Sequence, residues 1–233
     1  MSTSTSGTGE HTEPAATPSP DDAASRAPAA DLVGLLALGG LARFTRLADD
    51  AARTPDVPWR LRLSRMAAAE LTHIDVLAGQ AAELGGDLEA AMASFVDPLR
   101  EFDARTAPSD RWEGLMTTYI GHGVLADLER ELVGGLDSRP GIADVLGDTG
   151  AGDLVVEVLE PVLADDSVLS SRMALWGRIV VGEALGFAQA VLASHPSLAT
   201  LLGAADEEGA VTRLLSRLAG GHARRMDRLG LTA

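Results

Sequence analysis

The chain has 233 residues and a formal net charge of -15, with 34 acidic side chains, 19 basic side chains and no cysteine. The lack of cysteine excludes disulfide scaffolds, thiolate zinc sites and cysteine nucleophiles. The acidic charge argues against a protein that binds by neutralising nucleic-acid phosphates or anionic lipids. Aromatic residues make up only 3% of the chain, whereas alanine, leucine and glycine are abundant, and this balance favours helices over strands.

Residues 1–30 are mostly serine, threonine, proline, alanine and acidic residues, without an apolar period. Such a segment cannot offset the entropy of ordering by burying apolar surface, so we predict a disordered tail. It also lacks the basic and apolar regions of a secretory signal. The longest uncharged run, 184–205, contains polar residues and Pro196, which argues against a membrane span. We therefore expect a cytoplasmic protein with no membrane partner and one domain over 31–233.

From residue 31 onward, apolar residues recur every three or four positions, which indicates amphipathic helices. Thr54-Pro55 and Gly85-Gly86 supply breaks, and Ser109 or Asp110 can cap the helix that follows. Short connections between such helices favour an all-α, up-and-down bundle with additional short helices. We predict longer helices at about 31–53, 58–84, 110–136, 166–194 and 206–229, a shorter helix at 87–104, and two short helices over 138–165. The nearest candidate for a strand is the short apolar run at 154–159.

Five polar side chains occupy positions that the helical period assigns to the interior: Glu70, His73, His122, Glu183 and His222. A buried carboxylate or imidazole without a partner costs roughly 1–3 kcal/mol, and a buried charge costs more. These groups could satisfy one another around a metal ion. Glu70 and His73 are three residues apart, so both project from one face of a helix. This Glu-x-x-His element is half of the ligand set of di-iron helical bundles.

Each of these residues also has an explanation that involves no metal. Glu70 could pair with Arg43 or Arg65, and Glu183 could pair with Arg172, Arg178 or another nearby arginine. His122 could be a hydrogen-bonded core residue, and His222 could be a cation near the C-terminus of its helix. Joint occurrence favours the metal, because three of the five histidines fall on predicted core stripes.

Five stretches of this chain resemble the ferritin-like family of tRNA hydroxylase-like (MiaE-like) bacterial proteins. The strongest parts are the Ala-Ala-Ala-Glu-x-x-His helix and the Leu-Trp-x-Arg…Gly-Glu-Ala helix. The resemblance implies a helical bundle with non-haem iron that performs O2-dependent hydroxylation of a modified adenosine in tRNA. The stretches are LLALGGLARFTRLADD at 35–50, MAAAELTHIDVL at 66–77, YIGHGVLAD at 119–127, SRMALWGRIVVGEALGFAQ at 171–189 and HARRMDRLGL at 222–231.

The resemblance also assigns positions. Glu70 and His73 match the first Glu-x-x-His of the family, Glu183 matches a later acidic ligand, and His222 matches the terminal histidine. The chain departs from the family twice, because members usually have glutamate where Gly40 stands and aspartate where His122 stands. Two carboxylates in place of four favour one iron ion over two.

A single iron held by two histidines and one carboxylate would leave open positions for O2 and substrate. In this arrangement His122 is either a ligand or a group that orients one. The gap left by Gly40 could be filled by water or by Arg43, or the glycines could permit close helix packing.

Two functions from different classes therefore remain open. The first is an iron-dependent oxidase or hydroxylase whose substrate is unknown, with a modified nucleoside or tRNA implied only by the resemblance. The second is a non-catalytic ferritin-like bundle with a decayed metal site, acting as a structural or interaction module. A homodimer is compatible with either function, although no exposed stripe in the sequence argues for one.

Overall fold

The structure is a computed structural model that describes residues 20–136, 142, 144–147, 149–203 and 207–233. Within these residues the chain forms helices and turns without a β-strand, which confirms the predicted all-α class. The α-helices are α1 (Pro20–Arg53), α2 (Val57–Glu83), α3 (Leu88–Ala93), α4 (Val96–Arg105), α5 (Arg111–Thr117), α6 (Gly123–Gly134), α7 (Ala151–Asp165), α8 (Ser167–Ser194), α9 (Pro196–Thr200) and α10 (Glu207–Arg228). A π-helical turn at Thr118–His122 joins α5 to α6, and a 3-10 turn spans Asp144–Leu146.

Aspartates start four of these helices. Asp56, Asp87, Asp110 and Asp166 each accept hydrogen bonds from backbone N–H groups two or three residues further on. These bonds satisfy donors that have no partner within the first turn of a helix. Asp110 is thus one of the two caps that the sequence predicts for its helix. Gly85 ends α2 with a φ of 76°, in the left-handed region that favours glycine.

The helices differ from the prediction at several places, which include the π turn within the helix predicted at 110–136 and the unpredicted α9. α1 begins at Pro20 rather than near residue 31, and Ala29 is buried, so the predicted tail ends earlier than residue 30. Residues 1–19 lie outside the described residues. The predicted helix at 87–104 is two helices, α3 and α4. The run at 154–159 lies in α7 and is not a strand. α7 is one of the two short helices predicted over 138–165, and much of the region before it lies outside the described residues.

The core consists of two clusters of buried apolar side chains, one toward each end of the bundle. α1 packs most extensively against α2. The π turn, α5, α6, α7, α8 and α10 cover the remaining sides of the two clusters. Leu38 belongs to one cluster and Leu47 to the other, so the segment of α1 between them lies at the boundary. The same is true of the segment of α2 between Ala67 and Leu77. Polar groups on these segments therefore meet between the two clusters.

Two helices are long and apolar enough to cross a membrane by length and composition alone. They are the segment Arg26–Arg53 of α1 and the whole of α8, with 56% and 39% of their apolar windows buried inside the protein. The core helices of soluble proteins pass the same test, so this is weak evidence for a membrane protein. The location in the cytoplasm stays a prediction.

Close approach of α1 to α3 gives a test of the packing. A Cβ atom on Gly34 would lie 2.4 Å from the carbonyl oxygen of Ala91. We expect Gly34→Ala to lower the free energy of unfolding by roughly 1–3 kcal/mol, because two backbones must separate. Gly79→Ala is the control, since a Cβ there meets nothing within 4 Å. The control should raise stability by up to about 1 kcal/mol. Equal effects in urea unfolding would contradict this packing.

Candidate functional site

A buried arginine bridges two carboxylates from two other helices. Nε of Arg43 on α1 donates to Oε2 of Glu70 on α2 at 3.0 Å. Nη1 of Arg43 donates to both carboxylate oxygens of Glu129 on α6, at 2.9 and 2.8 Å. Both glutamate side chains are only 3% exposed, and that of Arg43 is 16% exposed. A three-helix ion network therefore occupies the boundary between the two core clusters.

The charge state of this network follows from the pairing. Burial by itself lowers the pKa of Arg43, but the charges of Glu129 and Glu70 outweigh burial and raise it. Burial raises the pKa of Glu129, and the nearby Arg43 charge opposes that shift. An arginine stays protonated under all ordinary conditions. The network therefore holds a permanent cation between two carboxylates.

Gly39 makes room for the carboxylate of Glu129. A Cβ atom at Gly39 would lie 2.2 Å from Oε1 of Glu129. A Cβ at Gly40 would lie 3.4 Å from the Ile74 side chain, which is ordinary contact. The glycine that the network requires is thus Gly39, whereas Gly40 is the position at which the resemblance pointed to a missing ligand.

Two of the predicted metal ligands lie beside this network. Nδ1 of His73 is 3.8 Å from Oε2 of Glu70, so the Glu-x-x-His spacing does bring the two side chains together. His122, at the end of the π turn, is 7% exposed. Nδ1 of His73 and Nδ1 of His122 are buried and have no hydrogen-bond partner within the part of the chain that the structure describes. Burial, together with the charges of Arg43 and Arg46, lowers the pKa of His122 to about 3, so this imidazole is neutral at pH 7.

The π turn that carries His122 is anchored by a second buried polar cluster. The Thr118 hydroxyl donates to Asp50 at 2.6 Å, and Arg46 donates to the same carboxylate at 3.2 Å. Burial raises the pKa of Asp50, and the Arg46 charge opposes this shift. Trp176 donates to the Thr117 hydroxyl just before the turn at 3.0 Å. Such π turns are rare and occur often at functional sites.

A cavity of about 230 Å³ opens beside the network. Its walls combine charged, polar and apolar groups, and its charged groups are paired. Arg225 lies within 2.8 Å of Asp127, Arg228 within 2.8 Å of Asp153, and Arg130 within 2.6 Å of Asp127. The polar side chains that line it include those of Arg43, Glu70, Tyr119, His122, Glu129 and Arg225.

Two glycines make room for the ion pair of Arg225 and Asp127. A Cβ at Gly123 would lie 2.4 Å from Nε of Arg225, and a Cβ at Gly221 would lie 2.5 Å from Oδ2 of Asp127. Arg225 also donates to the Gly123 carbonyl at 2.8 Å. The Arg225–Asp127 pair is therefore held in a slot between α6 and α10 that side chains would close.

The structure places the other two predicted ligands elsewhere. Glu183 accepts a 3.3 Å hydrogen bond from Arg105 and its side chain is 30% exposed. His222 is 5% exposed and neither ring nitrogen has a partner. Burial lowers the pKa of His222, as do the charges of Arg225 and Arg178. Neither Glu183 nor His222 lines the cavity that Glu70 and His122 share.

The donor set at the centre does not fit an iron ion. The two central carboxylates are already hydrogen-bonded to the Arg43 guanidinium, which lies where their negative charges converge. Among the described residues, histidine, aspartate and glutamate side chains form no group of three or more that is arranged to hold a metal. To bind an ion at Glu70 and Glu129, the chain must first displace a buried, doubly paired cation.

The prediction of site residues missed Glu129. It lies seven residues after His122, and therefore on the same face of the helix, but the neighbouring Arg130 and Glu131 make it look like part of a solvated run. Extending the stripe of Tyr119, His122 and Ala126 by one more step would have found it. The sequence indicates Arg43 as one alternative partner of Glu70 and as one candidate to fill the gap at Gly40.

The neutral state of His122 predicts how stability varies with pH. The unfolded chain protonates this imidazole near pH 6.5, whereas the folded protein does so only near pH 3. Lowering the pH below about 6.5 therefore favours the unfolded state, by up to about 1.4 kcal/mol per pH unit. We expect His122→Gln to lose less stability than the wild type between pH 7 and pH 5, by up to about 2 kcal/mol. Urea unfolding at both pH values measures this. Identical losses in the two proteins would mean that folded His122 carries its proton.

Comparisons with known proteins agree with the helical fold. Residues 23–205 match a family profile described as a ferritin-like domain of actinomycetes. Among solved structures, the chain is similar to "Protein 19 with aldehyde deformylating oxidase activity from Synechococcus", with a TM-score of 0.63 and 22% sequence identity over 90% of this chain and 98% of that one. At this identity the likeness shows the fold alone. No curated protein matches the sequence. Because the family profile covers most of the chain, the protein belongs to the ferritin-like domain family of actinomycetes.

Proposed function

We propose that this protein is a metal-independent ferritin-like protein that acts as a binding or structural module. The observation that carries this proposal is the bridge from Arg43 to Glu70 and Glu129. The guanidinium supplies the positive charge that two converging buried carboxylates require. The bundle is thereby stabilised at its centre without a metal ion.

Electrostatics support the proposal. Two unit charges of the same sign 4 Å apart repel by about 4 kcal/mol at an effective dielectric constant near 20, and a divalent ion doubles that repulsion. Arg43 cannot lose its proton to relieve it. An ion at these carboxylates would also break three charge-assisted hydrogen bonds.

The cavity beside the network suggests what such a module binds. Four arginines line it and pair with four carboxylates, those of Glu70, Glu129, Asp127 and Asp153, so the cavity offers no net charge to an ionic ligand. Neutral His122 lines the cavity, so its ring can donate or accept one hydrogen bond there. We therefore favour an uncharged small molecule with hydrogen-bonding groups as the ligand.

A second candidate is an iron-dependent oxidase or hydroxylase. It is favoured by the unpartnered nitrogens of His73, His122 and His222 and by the name of the similar solved structure. A single non-haem iron would supply O2 activation, and its candidate ligands are Glu70 and His73, which lie 3.8 Å apart, together with His122. A tRNA or modified nucleoside substrate belongs to this candidate and rests on the resemblance alone. The iron enzyme requires the Arg43 side chain to move away from the carboxylates of Glu70 and Glu129.

Substitution of Arg43 separates the two candidates. We expect Arg43→Met to lower the free energy of unfolding by roughly 3–5 kcal/mol, because it leaves two buried carboxylates without a cation. Adding Fe(II) or Mn(II) without oxygen should raise the melting temperature of this variant but not that of the wild type. Thermal unfolding followed by circular dichroism measures both effects.

Arg62→Met is the matched control. It removes an arginine that also donates twice to a glutamate, Glu157, but on the surface, where both side chains are about half exposed. We expect it to change stability by less than about 1 kcal/mol and to show no response to metal. Stabilisation of the wild type by iron, equal to that of Arg43→Met, would overturn the proposal in favour of the iron enzyme.

A further inference from the structure

One face of α8 is apolar and exposed in the part of the chain that the structure describes. Val168, Leu175 and Ile179 are 78%, 56% and 41% exposed. Gly182 and Gly186 continue the same face, and a Cβ on either would meet nothing within 4 Å. Glycine inside a helix is less favourable than alanine. Packing within the described residues therefore accounts neither for the exposed large side chains nor for the two glycines.

Together with Arg172, Gln189 and Ala193, these residues follow the spacing of a two-helix seam. Successive members are alternately four and three residues apart, which is the 3.5-residue period of helices that pack along their length. The N-terminal half of the seam carries three large apolar side chains and Arg172, whereas the C-terminal half carries three small residues and Gln189. We call this surface the α8 seam, and it consists of Val168, Arg172, Leu175, Ile179, Gly182, Gly186, Gln189 and Ala193.

We propose that the α8 seam is the contact between two copies of this chain, which pair with their α8 helices antiparallel. With the two-fold axis between residues 179 and 182, Ile179 faces Gly182 of the second copy. In the same register, Leu175 faces Gly186 of the second copy. Each large side chain then fills the hollow above a glycine, and the two helix backbones can approach closely.

The outer layers of the same register are also complementary. Val168 faces Ala193 of the second copy, which is again a large side chain against a small one. Arg172, which donates to Asp110 of its own chain, faces Gln189 of the second copy, whose amide oxygen can accept a further hydrogen bond from it. The seam from Val168 to Ala193 is about 38 Å long at 1.5 Å per residue. Two-fold symmetry repeats every contact, as in most homodimers.

Self-complementarity selects a second copy over other occupants. A parallel pair would place Leu175 against Leu175 and glycine against glycine, which leaves the small half unfilled. Residues 1–19 contain Met1 as their only large apolar residue, so they lack the side chains to cover the seam. A lipid bilayer would have to accept Arg172 on the seam itself, which is costly.

The first test is the mass of the full chain in solution, by sedimentation velocity over a wide range of concentration. We expect the wild type to have twice the 24.1 kDa mass of the chain. Gly182→Leu combined with Gly186→Leu should halve that mass, because leucine fills the hollows. The variant should keep its helical spectrum, since both positions are open within one chain. Gly79→Leu on α2 is the matched control and should remain dimeric.

The register is tested by cross-linking. The chain has no cysteine, so Leu175→Cys and Gly186→Cys each introduce a single thiol. In an oxidised equal mixture we expect disulfides between 175 and 186, because two copies of residue 175 lie about 16 Å apart along the helix axis. A monomeric wild type, a dimer that survives both leucines, or cross-links mainly between two copies of residue 175 would each overturn the proposal.

Discussion

The Arg43 guanidinium donates three hydrogen bonds to carboxylates that two other helices bury. Removal of that cation would leave Glu70 and Glu129 as uncompensated charges between two apolar clusters. Burial of like charges without a partner is among the most destabilising changes a fold can suffer. The relative positions of α1, α2 and α6 at the centre of the bundle therefore depend on this one side chain.

The surrounding structure is built to hold the network in place. Gly39 leaves the space that the Glu129 carboxylate occupies, and Thr118 ties the π turn to Asp50 on α1. The π turn also places the neutral imidazole of His122 at the wall of the cavity. The same fold can thus present a shaped, hydrogen-bonding cavity while its central charges are satisfied within the protein. This is the physical basis for proposing a module that works without a metal.

Much of the fold follows from patterns that the sequence displays directly. The apolar period, the breaks at Thr54-Pro55 and Gly85-Gly86 and the cap at Asp110 predict most helices, and Glu70 with His73 meet as their spacing requires. Glu183 lies in line with Val180 and Phe187 on α8, which predicts an interior position. Its side chain is nevertheless partly exposed and pairs with Arg105. A stripe locates a side chain only to within a fraction of a turn, which is too coarse to decide between a shared centre and a surface pair. The assignment of Glu183 and His222 as metal ligands therefore stays a prediction. Neither residue lines the cavity.

Other features could not be read from the period. The choice of Arg43 over Arg65 as the partner of Glu70 depends on how three helices pack, and so does the part played by Glu129. The π turn changes the register between Tyr119 and Gly123 without any residue type that marks it. The early start of α1 at Pro20 runs against Pro28, which lies inside the helix, and against the low apolar content of that segment. In each case tertiary packing decides what local preference leaves open.

The most direct test of the account is the iron content of the wild-type protein after anaerobic reconstitution with Fe(II) and desalting, measured by mass spectrometry together with its helical spectrum. If Arg43 takes the place of a metal, a fully folded protein will retain far less than one iron per chain. Retention of one or more irons per folded chain would show that the arginine yields its carboxylates to metal, and would contradict the account.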